Sequence, residues 1–75
     1  MTTKTLDARG MNCPMPILKA KQALSQMQQG EILEVMATDP GSVEDFKAFC
    51  RATSNRLVEN SQSGNTYSYR IERQG

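Results

Sequence analysis

The 75-residue chain contains no histidine and no tryptophan, and only two cysteines, Cys13 and Cys50. Without imidazole there is no Ser-His or Cys-His pair of nucleophile and base, no histidine metal ligand and no histidine proton shuttle. The two cysteines do not form a Cys-x-x-Cys pair and cannot complete a four-ligand zinc site. A metal hydrolase and a papain-like protease are excluded. Long apolar runs are missing too: the longest is a handful of residues, against about 20 for a membrane-spanning helix. The first residues, Met1 to Lys4, lead straight into charged sequence without the apolar stretch of a signal peptide, so a reducing, cytoplasmic setting is expected. Aromatic residues are scarce, two Tyr and two Phe, and the net charge is +1. Neither a stacking platform nor a basic groove for nucleic acid is available, and no direct contact with nucleic acid or membrane is expected.

Seventy-five residues make one domain, residues 1–75, with no repeat and no low-complexity linker. Hydrophobic residues are 37% and charged residues 23% of the chain, the balance of a folded globular domain. The charges are blocked. Residues 1–30 carry net +3 (Lys4, Arg9, Lys19 and Lys21 against Asp7). Residues 31–45 carry −5 (Glu31, Glu34, Asp39, Glu44, Asp45), and residues 46–56 carry +3 (Lys47, Arg51, Arg56). Such blocks fit a solvated surface or a partner patch, and only their positions in space separate the two.

Thr5 to Ala8 reads as a short strand closed by an Arg9-Gly10 turn. From Pro14 a helix is expected. Ile17, Ala20, Leu24 and Met27 recur at three- and four-residue spacing, and Gly30 stands where that helix would stop. Pro14 and Pro16 are compatible with it only in the first turn, where backbone N–H groups have no intrahelical acceptor. Residues 31–37 read as a strand with Leu33, Val35 and Ala37 on one face, broken by Asp39-Pro40-Gly41. Ser42, with Asp45 three residues on, gives a capping pattern for a second helix. That helix buries Val43, Phe46, Phe49 and Cys50 and ends near Thr53, with Asn55 as its left-handed cap. Arg56 to Asn60 and Thr66 to Arg73 read as strands joined by the Ser63-Gly64-Asn65 turn, with Tyr67, Tyr69 and Ile71 on the buried face. The order βαβαββ predicts an α+β, two-layer sandwich: two helices on one face of a four-stranded mixed sheet.

The chemistry points to Cys13. Its neighbours place it at the amino end of the first helix, as N-cap or first residue, where the helix dipole and unpaired N–H groups stabilise a thiolate. Pro14 and Pro16 lack an N–H, so Met15 and Ile17 are the expected donors to the sulfur. The prolines also stiffen the loop that presents it. Cys50, on the apolar stripe of the second helix, reads as a core residue, and a Cys13–Cys50 disulfide is not expected. An activated thiolate without base, metal or cofactor can attack the outer sulfur of a persulfide on another protein. It would then hold that sulfur and yield it to an acceptor thiolate, chemistry akin to thiol-disulfide exchange.

Leu6-Asp7-Ala8-Arg9-Gly10-Met11-Asn12-Cys13-Pro14-Met15-Pro16 resembles the signature of the TusA (SirA-like) sulfur-carrier family, a strand followed by Gly-x-x-Cys-Pro-x-Pro. Asp39-Pro40 with Asp45, and Phe49-Cys50-Arg51, are similar to the family as well, so the likeness spans essentially the whole chain. It implies the βαβαββ fold, Cys13 as the persulfide-bearing residue, and Gly10, Pro14 and Pro16 as the frame of the motif. It also implies a donor of the cysteine desulfurase or rhodanese type and an acceptor carrier of the DsrE type, serving tRNA thiolation, molybdenum-cofactor synthesis or sulfur oxidation. Ser54-Asn55 stands where many relatives have a Gly-containing turn.

Around the thiol, Arg9, Lys19 and Lys21 are candidates for a positive rim that favours thiolate and steers acidic partners; as solvated groups on an outer face they would need no partner. Met11 and Met15 are candidates for an adaptable apolar contact, with ordinary packing the expected role of at least one. A carrier of this kind is expected to be a monomer. The competing readings are a non-catalytic regulatory or protein-binding module and a selenium-handling relative using the same cysteine.

Overall fold

The computed structural model describes residues 3–12 and 14–74. Six elements follow in the expected order: β1 (Thr3–Ala8), α1 (Met15–Ser25), β2 (Ile32–Ala37), α2 (Ser42–Thr53), β3 (Arg56–Ser63) and β4 (Thr66–Glu72). The sheet order is β1-β2-β4-β3. β1 pairs with β2 in parallel, Ala8 opposite Ala37, and β4 runs antiparallel to both β2 and β3. β1, β2 and β3 therefore point the same way, and the β3–β4 hairpin folds β4 back between β2 and β3. Its two-residue loop starts at Gly64, whose φ of 59° supplies the positive dihedral a primed hairpin turn requires.

Both crossovers, through α1 and through α2, advance across the sheet in the same direction, so right-handed connections put both helices on one face. That face is the core. Leu33, Val35 and Ala37 of β2 and Tyr69 and Ile71 of β4 meet Ala20 and Leu24 of α1 and Phe46, Phe49 and Cys50 of α2, all buried. Phe46 stacks on Tyr69 with ring centroids 4.6 Å apart and meets Phe49 edge-on at 6.3 Å. Each fully buried side chain of this size contributes about 1.5–3 kcal/mol. The opposite face is open and mostly polar, with Ile32 and Met36 of β2 half-buried on it. Thr5, Glu34, Glu59, Ser68 and Arg70 line a shallow depression of about 300 Å³ there, crossed by a 3.7 Å Glu34–Arg70 ion pair between half-exposed side chains.

The two-layer sandwich is as expected; several boundaries are not. β1 starts at Thr3 and β3 runs on to Ser63, both as edge strands whose outer residues carry little hydrophobic signal. α1 stops at Ser25 and not at Met27, and Gly30 does not cap it. Its last turn tightens through Gln26 N–H to Ala23 O and Met27 N–H to Leu24 O, both 3.1 Å, the i→i−3 pattern of a closing helix. The Arg73 guanidinium then donates to the Leu24 and Met27 carbonyls. Met27 is still buried, but from the connecting turn.

Ser42 does not cap α2: Gly41 occupies the N-cap position without a side-chain cap bond. The Asp39 carboxylate accepts the Gly41 N–H (3.0 Å), and the Asp39 carbonyl accepts the Ser42 N–H (3.0 Å). This turn rotates the Ser42 hydroxyl inward, where it lies 2.6 Å from the Tyr69 phenol. At the far end of α2 the left-handed residue is Ser54 (φ 61°), not Asn55. Asn55 is held instead by its side chain, which donates to Thr53 Oγ1 and accepts the Gln74 N–H, each at 3.0 Å.

Candidate functional site

β1 delivers the chain to the site at Ala8, fully buried opposite Ala37. The strand cannot continue, because the next residues turn away: Gly10 adopts φ 81°, and the Met11 N–H returns to the Ala8 carbonyl at 3.2 Å. A Cβ at Gly10 would meet nothing within 4 Å, so glycine is needed here for its dihedral and not for room. Met11 packs half-buried against the core, and Asn12 is exposed. The Asn12 carbonyl accepts the Met15 N–H at 2.9 Å.

Cys13 itself lies outside the described residues, and the frame on either side of it is what the structure gives. Downstream, Pro14 is the N-cap of α1 and Met15 its first residue, so the helix begins after Cys13. Pro16 is in the first turn, as the missing N–H demands, and it is also fully buried, which anchors the helix start against the core. Among the described residues the first i→i−4 bond runs from Leu18 N–H to Pro14 O at 3.0 Å. Of the two amides expected to face the sulfur, the Met15 N–H donates to the Asn12 carbonyl; the sulfur itself lies outside the described residues.

The positive rim expected around the thiol centres on Cys13, outside the described residues, but the places of its three cations are given. Arg9 turns back to Asp7 in a two-pronged pair, Nε to Oδ1 and Nη2 to Oδ2, each 2.9 Å. These hydrogen bonds to Arg9 hold the Asp7 carboxyl down at about 2, and the same pairing raises Arg9. Lys21 lies about 10 Å along the helix from Pro14. There it lines a groove of about 200 Å³ with Leu24, Phe49, Thr53, Asn55 and Arg73, where the two helices end. Lys19 alone shares an exposed face with Met15, one turn on. α1 has no acidic residue, so this face carries no negative charge.

The two methionines divide their roles: Met11 packs against the core and Met15 is 42% exposed. Sequence reasoning missed Leu18, 51% exposed and three residues after Met15, which extends the apolar surface beside the Cys-Pro-x-Pro turn. Its signal was present, since Leu18 falls off the Ile17-Ala20-Leu24 stripe. Thr38 was missed too; its hydroxyl accepts the Gly10 N–H at 2.9 Å. Nothing in the sequence near Gly10 indicates it, because the contact depends on parallel pairing of β1 with β2. Cys50 is core as expected, 3% exposed, and burial pushes its thiol up to about 11. Among the described residues no group of three or more His, Cys, Asp or Glu could hold a metal ion, and no helix is long and apolar enough to cross a membrane.

Fold and frame together define a class: small α+β domains in which a Cys-Pro-x-Pro segment joins the first strand to the first helix. The chain belongs to the sulfurtransferase TusA family, whose sequence model matches residues 4–73. It is 50% identical over 68 residues to the sulfur carrier protein TusA of Allochromatium vinosum, covering 91% of this chain and 90% of that one. It is 47% identical over 72 residues to a putative sulfur carrier protein of Neisseria meningitidis serogroup A, covering 96% and 97%. In fold it matches the crystal structure of a SirA-like protein from Desulfitobacterium hafniense, with a TM-score of 0.84 over 99% of this chain and all of that one, at 21% identity. Membership brings a role in sulfur transfer in general.

Proposed function

We propose that the chain is a single-domain sulfur carrier in which Cys13 holds the sulfur in transit as a persulfide. The Cys13 thiolate attacks the outer sulfur of a donor persulfide; a bond forms between Cys13 Sγ and that sulfur, the donor's S–S bond breaks, and the donor departs as a thiolate. In the second step an acceptor thiolate attacks the outer sulfur on Cys13, and Cys13 leaves as thiolate. Each step is a displacement at sulfur with no net oxidation, so neither a base nor an external oxidant is required.

The observation that carries this reading is the frame around Cys13: a glycine turn before it and a proline N-cap after it, in a chain whose other cysteine is sealed in the core. The exposed Met15 and Leu18 with Lys19 beside them give a donor or acceptor an apolar surface with a basic edge. The donor is read as a cysteine desulfurase or rhodanese-type protein and the acceptor as a DsrE-type carrier, met in the cytoplasm by a monomer. Incubation with glutathione persulfide followed by intact-mass analysis tests the central step. One sulfur atom is gained by the wild type, removed by dithiothreitol, kept by Cys50→Ala and absent from Cys13→Ser. Equal loading of Cys13→Ser and wild type would sink the reading.

A further inference from the structure

In a parallel pair, the residue after Ala37 would continue the ladder opposite the residue after Ala8. The ladder ends there, because Gly10 at φ 81° turns the chain out of the sheet. The Gly10 N–H, which would otherwise lose its sheet partner, is taken by the Thr38 hydroxyl at 2.9 Å, across 28 residues of sequence. Among the described residues, this is the one hydrogen bond that ties Arg9 to Asn12 to another segment of the chain. The other bonds of that stretch are local: Arg9 to Asp7, Met11 to Ala8 and Met15 to Asn12. Thr38 is β-branched, directly follows β2 and is half-buried, so its χ1 has little freedom and its hydroxyl is held in place.

We propose that Thr38 is a positioning residue for the reactive turn: its hydroxyl, acting through Gly10, fixes the angle at which the chain leaves β1 three residues before Cys13. The proposal rests on the reading of Cys13 as the reactive thiol. Upstream the turn is pinned by Thr38 and downstream by the Asn12–Met15 bond and the buried Pro16. Removing the upstream pin lets the segment sample orientations that do not present the thiol, which lowers reactivity in proportion to the population lost.

The test compares wild type, Thr38→Val, which keeps the shape and deletes the acceptor, and Thr38→Ser, which keeps the hydroxyl. The rate of Cys13 alkylation by iodoacetamide at neutral pH is read by peptide mass, alongside amide exchange at Gly10. Losing one hydrogen bond of this kind should slow alkylation roughly three- to tenfold in Thr38→Val and speed Gly10 exchange by a similar factor, while Thr38→Ser stays within about twofold of wild type on both. Should Thr38→Val fail to fold, Thr38→Ala makes the same comparison. Faster Gly10 exchange with unchanged alkylation overturns the proposal, as does equal slowing in the Val and Ser variants. Alkylation does not depend on sulfur carriage, so a failed persulfide loading of Cys13 would strike the carrier reading and leave this result to stand or fall separately.

Discussion

The Ser42 hydroxyl and the Tyr69 phenol stand 2.6 Å apart at the start of α2, with Ser42 2% and Tyr69 1% exposed. Tyr69 is fixed by its stack on Phe46, so the bond joins the β2–α2 turn to the central strand β4. Burial raises the Tyr69 ionisation and the Ser42 hydrogen bond opposes that rise, leaving the phenol protonated at neutral pH. We predict that Ser42→Ala, which strands a buried phenol, costs about 1–3 kcal/mol. The double variant Ser42→Ala with Tyr69→Phe should lose less than the two single losses added together. Urea unfolding of the four proteins measures this. Strict additivity would mean that the two hydroxyls are not coupled.

Ser54 carries the positive φ that ends α2, and among the described residues its exposed side chain has no hydrogen-bond partner that would justify the conformation. A non-glycine residue in the left-handed region costs roughly 1 kcal/mol or more. Glycine removes that cost and adds back unfolded-chain entropy worth up to about 1 kcal/mol, so the net gain is small and positive. We expect Ser54→Gly to raise Tm by about 2–6 °C in a chain of this size. Asn55→Gly should lower it, because the Thr53 and Gln74 contacts of Asn55 would go. A lower Tm for Ser54→Gly would show that strain at this position is negligible.

The two substitutions mark where sequence reasoning reached its range. Periodicity and turn signals located both helices and all four strands, and periodicity gave the buried faces of the helices and of β2 and β4, because Leu33, Val35 and Ala37, and Tyr69 and Ile71, obey the period of two that a one-sided sheet imposes. It misplaced the ends, since Ser54 and Asn55 both tolerate a left-handed turn, and the Asn55 side chain is engaged by Thr53 and, 19 residues away, by Gln74. The same holds for Ser42: a serine three residues before an acid reads as a cap, but a tyrosine 27 residues away competes for the hydroxyl and wins. At the site, the motif around Cys13 was legible as local chemistry. The partition of Arg9, Lys19 and Lys21 was not, because Arg9 is claimed by Asp7 and the helix carries Lys21 away from the turn.

Cys50 supplies a pH-dependent prediction. Its thiol is raised from 9.0 to about 11 by burial, so the folded protein holds this proton more tightly than the unfolded chain. A raised group stabilises fully below its unfolded value, and that contribution drains away as the pH climbs from about 9 through about 11. Two units correspond to at most about 2–3 kcal/mol. Unfolding free energies measured from pH 8 to pH 11 should therefore fall more steeply for wild type than for Cys50→Ala, which starts lower from its cavity but lacks the slope. Parallel curves would show that the thiolate is accommodated in the core without cost.

The exposed pair Met15 and Leu18 separates docking from chemistry. Both are surface residues of α1, 42% and 51% exposed, with no part in the core, so replacing Leu18 should leave stability within about 0.5 kcal/mol of wild type. If a protein donor covers this face, a desolvated leucine there contributes about 1–3 kcal/mol to the encounter, and a carboxylate in its place adds a desolvation cost. We predict that Leu18→Glu slows sulfur uptake from a persulfidated protein donor about tenfold or more, with uptake from glutathione persulfide within about twofold of wild type, because a small donor has no use for the face. Lys21→Glu, a charge change in the groove at the other end of the helix, should leave both rates nearly unchanged. Equal slowing with both donors would place the Leu18 effect on the thiol itself, and equal effects of Leu18→Glu and Lys21→Glu would reduce it to bulk charge. Only loss confined to the protein donor and to Leu18 identifies the amino-terminal face of α1 as the surface on which sulfur is handed over.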